Sequence, residues 1–176
     1  MPTSGECDAT DFNTVLNETY IMQFLYSLAS FAHLLAAILW VGGIFLVYKV
    51  FRPVAMQLEP SQRLTMFLGI FNKFFPWVWG FIFVLIVSGY ADWILRLGGF
   101  NSTQLYVVAM EVIGWIMIIL FAWLYFVFFK RFKKYVEEEN FAEAGKVLNT
   151  KMRPIIVTNL WLGILEAFIG VSGAYL

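Results

Sequence analysis

Residues 19–48 carry no formal charge, in a stretch that includes YIMQFLYSLASFAHLLAAILWVGGIFLVY. A bilayer core needs only about 20 helical residues to be crossed. Inside lipid, an isolated segment must satisfy its backbone by its own helical hydrogen bonds. The stretch is too long for a signal-peptide core. Glu6, Asp8, Asp11 and Glu18 precede it without any Lys or Arg, the opposite of a basic leader, so this first span is expected to be retained.

Three more apolar runs follow. Lys73 to Asp92 encloses FFPWVWGFIFVLIVSGYA, and TMFLGIFN extends that helix back to about Leu64. The third run is interrupted only by Glu111 and the fourth only by Glu166. The reading is an acidic tail over 1–19 and spans at about 20–48, 64–95, 104–130 and 154–176. The expected fold is an all-α, up-and-down bundle of four transmembrane helices. With 61% hydrophobic and 14% charged residues, the chain stands far from the roughly 45–50% and 25% of soluble domains.

Twelve basic and twelve acidic residues balance, which gives no reason to expect a nucleic-acid partner. Their placement is uneven. Lys49, Arg52, Arg63 and Lys73 flank the first connection, and Lys130, Arg131, Lys133, Lys134, Lys146, Lys151 and Arg153 flank the third, leaving Arg96 alone on the other side. Basic residues collect on the cytoplasmic side. Both termini are therefore expected outside, in the periplasm of a bacterial inner membrane. Gly98, Gly99, Asn101 and Ser102 mark an outer turn, Pro76 a kink, and Arg131 to Thr150 reads as span three running out of the membrane before a short return, a solvated helical loop by its charges, with a segment lying along the surface through Phe132, Tyr135, Val136 and Phe141 as the alternative. Cys7 is the sole cysteine, which excludes an intrachain disulfide, a CxxC pair or a thiolate cluster.

Ionisable groups at membrane depth are costly and mark function by default. His33, Glu111 and Glu166 meet that description, with Lys73 and Asp92 nearer the ends. Helical rise places His33 and Glu166 each about 3 Å outside mid-span and Glu111 about 7 Å outside it. Ala29, His33, Ala36, Trp40 and Gly43 form one small-residue stripe, and Gly163, Glu166, Gly170 and Gly173 form another. In a closed bundle spans one and four are neighbours, so the stripes would bring His33 and Glu166 together. Such a pair reads first as mutual hydrogen bonding, nearly as well as a metal or cofactor site, and only third as part of a proton path through Glu111.

A single histidine forbids a haem held by two histidines of one chain. Haem b or copper(I) would instead use His33 with methionine, and Met22, Met110 and Met117 lie at suitable depth. The candidate metal ligands are thus His33, Glu166 and Glu111, and the candidate cofactor contacts His33, Trp40, Met110 and Met117. Trp79, Trp115 and Trp161 also sit deep enough to flank a flat group, whereas Phe74, Phe75 and Trp77 suit an interfacial belt.

The segment HLLAAILWVGGIFLVYKVFRPVAM, with His33, Trp40, Gly42-Gly43 and Arg52-Pro53, resembles the first helix of CopD-type membrane proteins associated with copper handling and resistance. FNKFFPWVWGFIFVLIVSG and MRPIIVTNLWLGILEAFIGVSG resemble later helices of its short four-span members. The His-to-Trp spacing is also similar to that of HemJ-type haem b membrane proteins, although a second histidine is missing here. These resemblances imply a metal- or haem-associated bundle with His33 as its ligand. Copper handling, or support of a copper-dependent membrane enzyme, is the first expectation. A quinone-linked haem b redox protein and a non-catalytic subunit of a larger membrane complex are the others. Lipid is the expected environment, with a second copy or complex subunits as further partners.

Overall fold

The computed structural model describes residues 9–96 and 104–173. The acidic residues and Cys7 of the first eight positions, the outer turn over 97–103 and the last three residues lie outside the described residues, as do the side chains of Asp11, Asp92 and Arg96. Among the described residues, four long helical rods are apolar enough to cross a membrane: Thr14–Ala55, Pro60–Ala91, Leu105–Glu137 and Phe141–Gly173.

Each rod is built from named segments. Helix α1 (Ala9–Phe45) passes through a widened π segment, Leu46–Phe51, into the short α2 (Arg52–Ala55). Helix α3 (Pro60–Arg96) continues through Pro76, whose ring nitrogen donates nothing to the carbonyl four residues back. Helix α4 (Leu105–Trp123) runs through a π segment, Leu124–Phe129, into α5 (Lys130–Glu137). After a tight turn, α6 (Phe141–Val147) passes through the π segment Leu148–Met152 into α7 (Arg153–Gly173).

Span three runs on through α5 as expected, and the return through α6 continues the fourth rod, with its apolar side chains packed inward where a solvated loop was expected. Glu139 takes a left-handed backbone at φ 55°, and the Asn140 side chain accepts from the Glu143 amide at 3.3 Å, which caps α6. Phe132, Val136, Ala144 and Met152 on these extensions are buried. They join the bundle core.

Two kinds of packing hold the rods. Helix α1 lies along α3, and α4 lies along α7, where small residues let backbones approach. Gly163 of α7 sits so close to Val41 of α1 and Met117 of α4 that an added Cβ would overlap the valine. Between the two pairs stands a wall of rings. Phe67, Phe71 and Phe75 stack along one face of α3, and Phe121, Tyr125, Phe129 and Phe132 meet them, mostly edge-on, from the other side. Phe75 therefore belongs to the core, where an interfacial belt was expected; its neighbour Trp77 points outward at 68% exposure.

The bundle thus has a terminal end, where α1 begins and α7 finishes, and a basic end carrying α2, α5 and α6. The outward faces of α1 and α7 are lined with Phe24, Phe31, Ile38, Phe168 and Val171, all exposed. Lipid contact accounts for them.

Candidate functional site

His33 is a polar ring in the apolar run of α1, and it meets Ser88 and Gly89 of α3. His33 Nδ1 is 3.0 Å from the Oγ of Ser88. The Ser88 hydroxyl itself donates to the Val84 carbonyl at 2.6 Å, one turn back on its own helix. With its single proton held there, Ser88 Oγ accepts from His33 Nδ1–H. This pattern favours the neutral tautomer that carries its proton on Nδ1.

Gly89 completes the seat. A Cβ on Gly89 would lie 3.3 Å from His33 Cε1, closer than ordinary packing tolerates without a shift. The small residue leaves room for the imidazole against the backbone. Beside it, between α1 and α3, Ala29, Ala32, Val84, Val87 and Ser88 line an apolar groove of about 270 Å³ that opens on the bundle surface.

The two carboxylates sit elsewhere in the same half. Glu111 accepts a hydrogen bond from the Tyr90 hydroxyl, an α3-to-α4 contact that holds it inside the protein. The Glu166 carboxylate faces Gly114 of α4, where an added Cβ would lie 3.3 Å from Oε1. Its Oε1 is buried with no hydrogen-bond partner among the described residues. The Val41–Gly163 contact fixes the register of α1 against α7. Counting eight residues back to His33 and three on to Glu166 leaves an offset of five residues, about 7.5 Å along the axis.

The remaining candidates fall on the other seam or in the core. Met110 lies against Gly170 and Met117 against Gly163, both across α4 and α7. Trp40 is 3% exposed and meets Phe121 edge-on at 6.2 Å. Its indole Nε1, like that of Trp79 and the Oδ1 of Asn159, is buried with no hydrogen-bond partner among the described residues. Trp115 and Trp161 are exposed on the outer surface, Trp161 at 63%, although Trp115 also reaches the Tyr90 hydroxyl that bonds Glu111.

Sequence reasoning found the imidazole and both acids but paired the helices differently. The small stripe of α1 that carries His33 rests on α3, and the glycine stripe of α7 rests chiefly on α4. Ser88 and Gly89 do not stand out in the sequence as site residues, and Tyr90, which reads from the sequence as an interfacial-belt aromatic, instead donates to Glu111. The one signal of the Ser88-Gly89 pair is that two small residues interrupt FVLIV near the helix end.

As to donor chemistry, among the described residues no group of three or more His, Cys, Asp and Glu converges on one point. The site offers one oriented imidazole, with thioethers and carboxylates distributed over the neighbouring helices.

A family model described as copper resistance protein D matches residues 68–172, more than half of the chain. The chain belongs to that family. The match takes in Ser88, Gly89, Glu111 and Glu166, while α1 with His33 precedes it. No curated protein and no solved structure matches the chain.

Proposed function

We propose that this copper resistance protein D family chain handles copper as a cargo in the terminal half of the membrane, taking Cu(I) on His33. The observation that carries the reading is the Nδ1–H bond to a serine whose own proton is held by Val84. Metal-binding histidines are characteristically oriented through the opposite ring nitrogen. Copper(I) is a soft cation that accepts imidazole and thioether donors at low coordination, so a dense carboxylate cluster is not required. Met110, Glu111 and Glu166, on the terminal side of the Val41–Gly163 contact, are the further donors this reading draws on, with Met117 and Trp40 closing the interior at the level of that contact.

The basic residues gathered at the far end orient the bundle with both termini outside, in a bacterial inner membrane. The site then lies toward the outer surface. The work done there is delivery or sequestration of copper, or its supply to a copper-dependent membrane enzyme.

Purified protein loaded with copper(I) is analysed for metal and its absorption spectrum recorded on the same sample. Wild type should retain copper, and His33→Ala should lose it. Equal copper in both would overturn the assignment, and a Soret band in place of copper would replace it with a haem b protein.

A further inference from the structure

At the basic end, three cationic side chains surround one phenol, and a fourth stands across a small cavity from it. Lys49 Nζ lies 5.5 Å from the centre of the Tyr48 ring, Arg52 Cζ 5.9 Å and Arg153 Cζ 6.0 Å. Arg63 of α3 joins Arg52, Arg153 and Tyr48 around a cavity of about 60 Å³. A single water needs roughly 10–15 Å³ of such space, so a small tetrahedral anion has room.

Among the described residues, no carboxylate pairs with Arg52, Arg63 or Arg153. The ion pairs among the described residues are Lys133–Glu137, Lys134–Glu138 and Lys146–Glu143, all on α5 and α6. Glu59, one turn before Arg63, gives Arg63 only its backbone carbonyl. The Nδ2 of Asn149, which also lines the cavity, is spent on the Gly145 carbonyl. Guanidinium groups brought together this way call for a multiply bonded anion, and phosphate oxygens match their fork geometry.

The local backbone serves the arrangement. The π segments Leu46–Phe51 and Leu148–Met152 each deliver an Arg-Pro pair, Arg52-Pro53 and Arg153-Pro154, to the same level on two adjacent rods. Such widened turns recur at functional positions. Below the charged rim the cavity floor is apolar, made by Leu64, Phe67 and Phe71. A cationic rim over an apolar floor, at the end of a membrane-spanning bundle, has the polarity of an amphiphile with a negative head.

We propose that this cavity binds a phosphate-bearing anion, Arg52, Arg63 and Arg153 holding its oxygens, and that the apolar floor selects the phosphate of an acidic phospholipid. Basic pockets between membrane helices on the cytoplasmic side commonly take such headgroups. The site is separate from that of His33 and stands or falls without it.

Delipidated full-length protein is tested in detergent for binding of phosphatidylglycerol, phosphatidylcholine and inorganic phosphate, by native mass spectrometry and by the shift in unfolding temperature. Phosphatidylglycerol should bind at least tenfold tighter than phosphatidylcholine. The preference should vanish in Arg52→Gln/Arg153→Gln, survive weakened in Arg52→Lys/Arg153→Lys, and persist in Lys133→Gln/Lys134→Gln, which removes exposed charge away from the cavity. Competition by inorganic phosphate, lost in the same arginine variants, would keep the anion site and assign it to a soluble phosphate. Equal binding of both lipids with no phosphate competition, or a preference unchanged in the double Gln variant, would overturn the proposal.

Discussion

Replacing Ser88 by alanine probes the orientation of His33 with a change of one atom. Ser88 is only 6% exposed, so solvent does not substitute for the lost acceptor. A buried hydrogen bond of this kind contributes about 0.5–1.5 kcal/mol net. At about 1.4 kcal/mol per decade, that is roughly a 2- to 12-fold loss in whatever equilibrium requires the oriented ring. Removal of an outer-shell partner of a metal-binding histidine typically costs about 10–100-fold in affinity. The two ranges meet near tenfold. The assay is a copper(I) titration against a chromophoric chelator, paired with nitrogen NMR of ¹⁵N-histidine-labelled protein, in which the single imidazole gives one unambiguous pair of ring signals. The metal-free neutral ring should carry its proton on Nδ1 in wild type and a mixture of tautomers in Ser88→Ala, with Ser88→Thr resembling wild type. Copper affinity in Ser88→Ala within twofold of wild type, or a wild-type ring protonated on Nε2 alone, would refute the reasoning.

Three further outcomes follow from the packing and the charge distribution. Gly163→Ala drives a Cβ into Val41 and should destabilise the protein by about 1–3 kcal/mol, whereas a Cβ on Gly42 meets nothing and Gly42→Ala should gain up to about 1 kcal/mol; detergent-denaturation midpoints compare the two. Phe132 is fully buried in the ring wall, so Phe132→Ala should cost about 3–5 kcal/mol in the same assay, and a loss under 1 kcal/mol would show that the extension beyond the membrane is not part of the core. Cys7, the natural single thiol, should react with a membrane-impermeant maleimide from the periplasmic side of intact cells; labelling only after the inner membrane is opened would reverse the orientation.

The number of rods and their polarity pattern were legible because uninterrupted apolar length and backbone satisfaction in lipid leave few alternatives. The glycine stripe of α7 was legible too, since only small residues allow the approach seen at Gly163. What the sequence could not convey is which helix receives a given stripe. Ala29, Ala32 and Gly43 would suit α7 as well as α3; the bulky rings of Phe71, Phe75, Phe121 and Phe129 fill the space between α3 and the rod of α4, while α1 and α7 still meet at Val41 and Gly163. Aromatic residues carry the same ambiguity: Phe75 and Trp77 are two positions apart, yet one is core and the other faces outward. The π segments left no pattern in the sequence at all, because a widened turn changes which residues face inward without changing the composition.

The proposed copper donor is the imidazole of His33. X-ray absorption at the copper edge of copper(I)-loaded protein reads it directly. An imidazole scattering pattern should be present in the wild type and disappear in His33→Ala. A copper shell made of sulfur alone, or an imidazole-free spectrum identical in the two proteins, would contradict it.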